Sequence, residues 1–154
     1  MTPPPARSFE QRKKDTLHRL ESDVDVWVAT AGPDGAAPYL VPLSFVWDGS
    51  SLLIATPADS PTGRNLVATG RARLGIGPTR DVVLVDAVVR AVTPEDLPEE
   101  DAEVFAGKTG FDPRRLAAPY LYFRVLPQRI QAWREDNELR GRDLMRDGEW
   151  LPAE

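Results

Sequence analysis

Residues 56–65 gather side chains that can hold an anion. Thr56, Ser60 and Thr62 supply hydroxyls, Arg64 a guanidinium and Asn65 an amide. They follow an apolar run, Leu52-Leu53-Ile54-Ala55-Thr56, that suits a buried strand. They lead into a short helical piece, read from Asn65 to Thr69 and closed by Gly70, and then into a strand from Ala72 to Gly77. Free N–H groups at a helix start, small hydroxyls and one guanidinium aimed at the same place form a phosphate cradle. The same residues also suit an ordinary connection, with Ser60 or Thr62 as N-cap and Gly70 as C-cap. Caps are the commoner use, and the two readings are compatible.

Other chemistries find little support. The 154-residue chain has no cysteine, which excludes disulfides, thiolate catalysis and thiolate metal sites. One histidine, His18, excludes a multi-histidine metal centre and argues against a Ser-His-Asp triad. His18 stands among charged neighbours and reads as a solvated helix residue. The acidic run Glu99, Glu100, Asp101 and Glu103 reads as a helix N-terminal half favoured by the macrodipole, so no metal site is expected. A net charge of -5 argues against a general nucleic-acid binder. No apolar run approaches the ~20 residues that cross a bilayer, and the N-terminus has no secretory h-region. A soluble cytoplasmic protein is expected.

These residues need elements to position them. Residues 1–7 are expected to be disordered, and 8–154 to form one domain. A possible capping box, Ser8 with Gln11, starts a helix read to about Glu21. Val24, Val26 and Val28 alternate with polar or aromatic neighbours, which is strand patterning. Gly32-Pro33-Asp34-Gly35 is a turn, and PYLVPLSFVW (Pro38 to Trp47) reads as one strand. Pro42 inside it marks an edge, a bulge or a place where something other than a strand meets the backbone. Asp48-Gly49 closes a hairpin into Leu52–Thr56. Val82 to Val92 is a long strand, followed by an acidic, mostly helical insertion from Glu95 to Lys108 that ends at Gly110. That insertion either shapes a pocket or covers a barrel edge. Tyr120 to Val125 is another strand, which Gln128 to Trp133 continues or pairs with.

About six strands at short spacing predict a mainly β protein, a six-stranded antiparallel split β-barrel with an N-terminal helix and short helical insertions. A barrel this small is filled by side chains, so a ligand must bind on its outer wall, commonly against another subunit. Trp27, Trp47, Trp133 and Trp150 are many for such a core, and some are expected at an interface or against a planar ligand.

In order and spacing, four segments resemble the split-barrel flavin-binding proteins related to pyridoxamine 5′-phosphate oxidase. They are YLVPLSFVWDG (Tyr39 to Gly49), LLIATPADSPTGRNL (Leu52 to Leu66), ARLGIG (Ala72 to Gly77) and YFRVLPQRIQAWR (Tyr122 to Arg134). The resemblance implies a homodimer with cofactor sites at the subunit interface and a small-molecule substrate. It implies that Val41, Pro42, Leu43 and Ser44 lay their backbone along a flavin ring. Thr56, Ser60, Thr62, Arg64 and Asn65 would hold its phosphate, and Gly75 would border the ring or ribityl chain. Trp133 and Arg134 would reach across the dimer. The implied cofactor is FMN, with the 8-hydroxy-5-deazaflavin coenzyme of some relatives as the alternative. The implied function is a flavin-dependent oxidoreductase moving hydride or electrons to or from a small molecule, with no catalytic side chain singled out. The rivals are a flavin-binding or storage protein without turnover and a cofactor-free dimeric scaffold. The chain departs from the pyridoxamine oxidases proper: Ser44 takes the place of a basic residue, and Gly63-Arg64 that of an Arg-Lys pair. Their C-terminal arginine and histidine pattern is missing. These departures argue against vitamin B6 phosphate oxidation.

Overall fold

The computed structural model describes residues 2–153. Helix α1 (Phe9–Ser22) starts at Ser8, whose Oγ accepts the Gln11 N–H at 3.1 Å. Only this half of the capping box forms, because the Gln11 amide turns to Asp15 at 2.7 Å. Strands β1 (Asp25–Thr30), β2 (Tyr39–Ser44), β3 (Val46–Trp47) and β4 (Leu52–Pro57) follow. Helix α2 (Pro61–Thr69) leads to β5 (Arg71–Ile76) and β6 (Val82–Val92). Helix α3 (Glu99–Thr109) precedes β7 (Tyr120–Trp133), and a last hairpin pairs β8 (Asp143–Arg146) with β9 (Glu149–Trp150).

All strand pairs are antiparallel, in the order β2-β1-β5-β6-β7-β4-β3, with β8 and β9 attached to β7. The described sheet thus has nine strands, where the patterning suggested six; β3, β8 and β9 are too short to leave a periodic signature. PYLVPLSFVW is not one strand. Phe45 breaks it, sending its N–H to the Val24 carbonyl at 2.8 Å and its fully buried ring into the core. The break closes the barrel. β2 and β3 lie at opposite ends of the strand order, yet only Phe45 separates them in sequence. The sheet must therefore curl until its edges meet. There β2 and β4 touch without forming a ladder, which leaves the barrel split. Pro42 lies on β2, the edge strand, opposite Trp27, where its missing N–H costs no ladder bond.

Residues 120–133 form one continuous strand. Its register shifts where Asp86 faces Arg129 and Ala87 faces Pro127, so Gln128 is the extra residue of a bulge. Apolar side chains of β1, β4, β5, β6 and β7 fill the barrel around Phe45, Ile54 and Leu74. A second cluster, with Leu53, Ala55, Phe105, Tyr120 and Tyr122, lies on the outer side of β4 and β7 beneath α3. β4 is buried on both faces, which is why its apolar run is unbroken rather than alternating. The acidic insertion therefore covers the barrel: its charged residues face water while Ala102 and Phe105 are buried.

Candidate functional site

Helix α2 starts as the cap reading expects, but four residues earlier than the sequence suggested. Ser60 is the N-cap, Pro61 takes the first turn, and Gly70 ends the helix in the left-handed region at φ 64°. The residue accounting around Ser60 is informative. Its Oγ donates to the Pro57 carbonyl at 2.8 Å and accepts the Gly63 N–H at 3.0 Å. The Thr56 hydroxyl lies 3.2 Å from it. A hydroxyl carries one proton, and that of Ser60 goes to Pro57, so Thr56 must donate to Ser60. Both hydroxyl protons are spent inside the protein. Thr62 is 2% exposed, so of the expected cradle this leaves the Arg64 guanidinium to meet an anion at the helix N-terminus. Arg64 is exposed, and one Nη1 bond to the Asp59 carbonyl at 2.8 Å holds it. Asn65 turns the other way and donates to Thr30 Oγ1 at 3.1 Å.

Gly63 explains the departure from an Arg-Lys pair. A Cβ there would sit 2.5 Å from the Pro57 carbonyl oxygen. The loop closes so tightly on the helix that position 63 has no room for a side chain.

Beside this loop a cavity of about 290 Å³ opens at the split. Pro42, Leu43 and Ser44 of β2 form one wall, Ala55, Thr56 and Pro57 of β4 another. The insertion supplies Phe105 and the segment after it Phe111, Pro113 and Leu116, with Tyr120 opening β7. The Ser44 hydroxyl bonds Asp25 at 2.8 Å. Tyr122 lies behind Phe105 and Tyr120, edge-on to both at centroid distances of 5.7 and 5.5 Å. Its buried hydroxyl has no hydrogen-bond partner, and desolvation pushes its pKa up.

The expected site residues thus fall into three places. Pro42, Leu43, Ser44 and Thr56 line the cavity, with Val41 next to them on β2 and Ser60, Thr62, Arg64 and Asn65 on the adjoining loop and helix. Gly75 lies on β5 opposite Trp27, whose ring is 52% exposed on the outer wall. Trp133 and Arg134 are at the other end of β7, which spans 14 residues, about 40 Å of strand. There Trp133 takes Arg142 over its ring at 5.6 Å, and Arg134 pairs with Asp81 at 3.2 Å. Within one chain these two do not reach the cavity.

The sequence left open whether the insertion shapes a pocket or covers a barrel edge, and it singled out neither Phe105 within the insertion nor Phe111 and Leu116 after it. The available signal was Ala102 and Phe105 three positions apart, the spacing of one helical face.

A split antiparallel barrel with a cavity at the split and a capped helix beside it defines the class of fold. Residues 15–134 match the family model described as pyridoxamine 5′-phosphate oxidase. That is most of the chain, and the protein belongs to this family. A search of curated proteins finds no match. Solved structures share the fold. A protein from Clostridium acetobutylicum related to general stress protein 26 (pyridoxinephosphate oxidase family) aligns at 14% identity over 82% of this chain and 90% of its own, with a TM-score of 0.64. A FAD-binding protein from Mesorhizobium loti aligns at 21% identity, over 76% of this chain and 90% of its own, with a TM-score of 0.59. A structure named F420 reductase aligns at 19% identity, over 73% of this chain and 93% of its own, with a TM-score of 0.60. Among the described residues no helix is long and apolar enough to cross a membrane.

Proposed function

We propose that the protein is an FMN-dependent oxidoreductase that works as a homodimer, with the flavin between the subunits. The observation that carries this reading is the position of the α2 N-terminus and the exposed Arg64 shortly after Thr56 and Pro57, which line the cavity beside the unladdered edge of β2. A helix N-terminus and an exposed guanidinium are a donor set that fits a phosphate monoester. An edge strand leaves every other N–H and C=O free to meet the polar rim of a ring. Bound flavin would supply the hydride or electron transfer. The chain's own residues then bind and orient. Arg64 and the α2 N-terminus hold the phosphate, Ser60, Thr56 and the buried Thr62 keep the loop in shape, and β2 fixes the ring plane. The apolar wall of the insertion keeps water from one side of the cavity. Trp27 and Leu40, 52% and 59% exposed on the outward face of neighbouring strands, form an apolar outer patch suited to a second copy. Trp133 and Arg134 reach a cofactor only if that copy brings them.

The 8-hydroxy-5-deazaflavin coenzyme is the second reading, supported by the likeness to the structure named F420 reductase. It also carries a phosphate, so the same cradle serves. The deciding experiment is the absorbance spectrum and mass of whatever co-purifies. Arg64→Ala is expected to weaken binding of that cofactor roughly 10- to 100-fold, the value of one charge-assisted contact. Full cofactor content in purified Arg64→Ala protein overturns the cradle assignment.

A further inference from the structure

The cavity at the split is notable for what its wall does not carry. No charged side chain lines it, and Tyr120 is its one ionisable group. Burial raises the pKa of that phenol, so it is neutral at physiological pH. The Ser44 hydroxyl is within 2.8 Å of the Asp25 carboxylate, which can only accept, and the Thr56 proton goes to Ser60. Of the cations around the insertion, Arg115 points largely to solvent, 88% exposed and 3.7 Å from Asp112, and the others are engaged elsewhere. Arg114 is tied to Asp112 and Glu103, each at 2.8 Å. Arg124 is tied to Asp101 at 3.0 Å and Asp48 at 3.5 Å. Lys108 lies over the Phe45 ring at 4.5 Å, and Phe45 is inside the barrel. Meanwhile Phe111 and Leu116, on the segment after α3, are 40% and 44% exposed at the cavity mouth.

The geometry points to this cavity as the substrate seat for an uncharged, planar, largely apolar molecule, held between β2 and the insertion. This rests on the cofactor reading above, for which it names a substrate class. An anionic substrate would lose its hydration and find no cation in the cavity wall, which is costly. A neutral aromatic one loses little and gains edge and face contacts with Phe105, Phe111 and Tyr120. The insertion between β6 and β7 is then the specificity element, and its acidic face only keeps the helix soluble. The volume is at the small end for ligand sites, which favours one or two fused rings over an extended chain.

The test uses two fluorescent probes of similar shape and opposite charge state. N-phenyl-1-naphthylamine is neutral, and 8-anilinonaphthalene-1-sulfonate is anionic. On FMN-loaded protein the neutral probe should bind saturably, one per chain, and at least about tenfold more tightly than the sulfonate. Phe105 is 1% exposed, and its truncation would damage the fold, so the rim is changed instead. The double variant F111S/L116S should weaken the neutral probe about tenfold, and L116K should reverse the preference between probes. Equal affinity for both probes, no effect of F111S/L116S, or displacement of the neutral probe by FMN would overturn the assignment. Displacement would make the cavity the ring's own seat and leave the cofactor reading standing. If the protein takes up no flavin and the flavin-free protein binds the neutral probe with the same variant pattern, the cavity assignment holds and the cofactor reading falls.

Discussion

Strand β7 joins two ends of the molecule that treat polar groups in opposite ways. At the Trp133 end almost every charge is spoken for. Glu138, with 2% of its side chain exposed, accepts four donors: the Arg7 and Arg134 backbone N–H groups and the Arg7 Nε and Nη2. Arg12 donates from Nη1 to the carbonyls of Ala132, Glu138 and Gly141 and from Nη2 to that of Arg7, and only its Nε finds no partner among the described residues. Asp81 collects Arg7, Arg19 and Arg134. Arg7, the last residue of the stretch expected to be disordered, is thereby tied to the C-terminal part of the chain. At the Tyr120 end the wall is apolar, a phenol is left without a partner, and a guanidinium is held by one bond. A saturated network has no donor left for a ligand, so its residues hold the fold. Binding belongs where groups remain uncommitted.

The largest expected effect is at the saturated end. Glu138→Gln takes from Arg7 the closest of its carboxylates, at 2.8 Å, leaving Asp15 and Asp81, and should cost about 2–3 kcal/mol in urea or thermal unfolding. Its pH dependence follows the same cause. The hydrogen bond from Arg7 holds the Glu138 carboxyl down at about 2, below the usual 4.5. A depressed carboxylate stabilises the fold fully above its unfolded pKa. That contribution, on the order of 3 kcal/mol, should disappear as pH falls from about 4.5 towards 2. A wild-type protein with flat stability across that window would show that the network is not holding the N-terminal arm.

Smaller effects separate the roles within the other end. Ser60→Ala removes the N-cap and should lower stability by about 1 kcal/mol. Arg64→Ala should leave unfolding within about 0.5 kcal/mol of wild type while cofactor binding falls. The reverse pattern in those two variants would show that Arg64 shapes the loop and Ser60 meets the ligand. Smallest is Tyr122→Phe. It removes an unpaired buried hydroxyl and should be neutral or up to about 1 kcal/mol more stable. A loss of more than about 1 kcal/mol would mean that this hydroxyl has a partner in solution, and that the two ends differ less than they appear.

Much of this protein was legible locally. Ser8, Ser60, Gly70 and Gly110 mark helix ends because a cap depends on a few adjacent residues. The alternation of Val24, Val26 and Val28 and the turn at Asp48-Gly49 are equally local, and with the spacing of the strands they lead to the antiparallel barrel and the family. The unbroken run Leu52 to Thr56 announced a buried strand. It could not say that one of its faces lies under α3, because that cover comes from residues some 50 positions later.

The sequence by itself therefore determined the helices, the longer strands and their order, the helix caps and the absence of thiol chemistry, since each depends on composition or near neighbours. Tertiary structure alone decided three things. Phe45 breaks an apparently continuous strand so that the sheet edges meet. Trp133 and Arg134 end a strand's length away from the cradle of their own chain. The aromatic residues of an acidic insertion become a cavity wall. Each depends on which distant surfaces pack together, and a one-dimensional pattern does not contain that information.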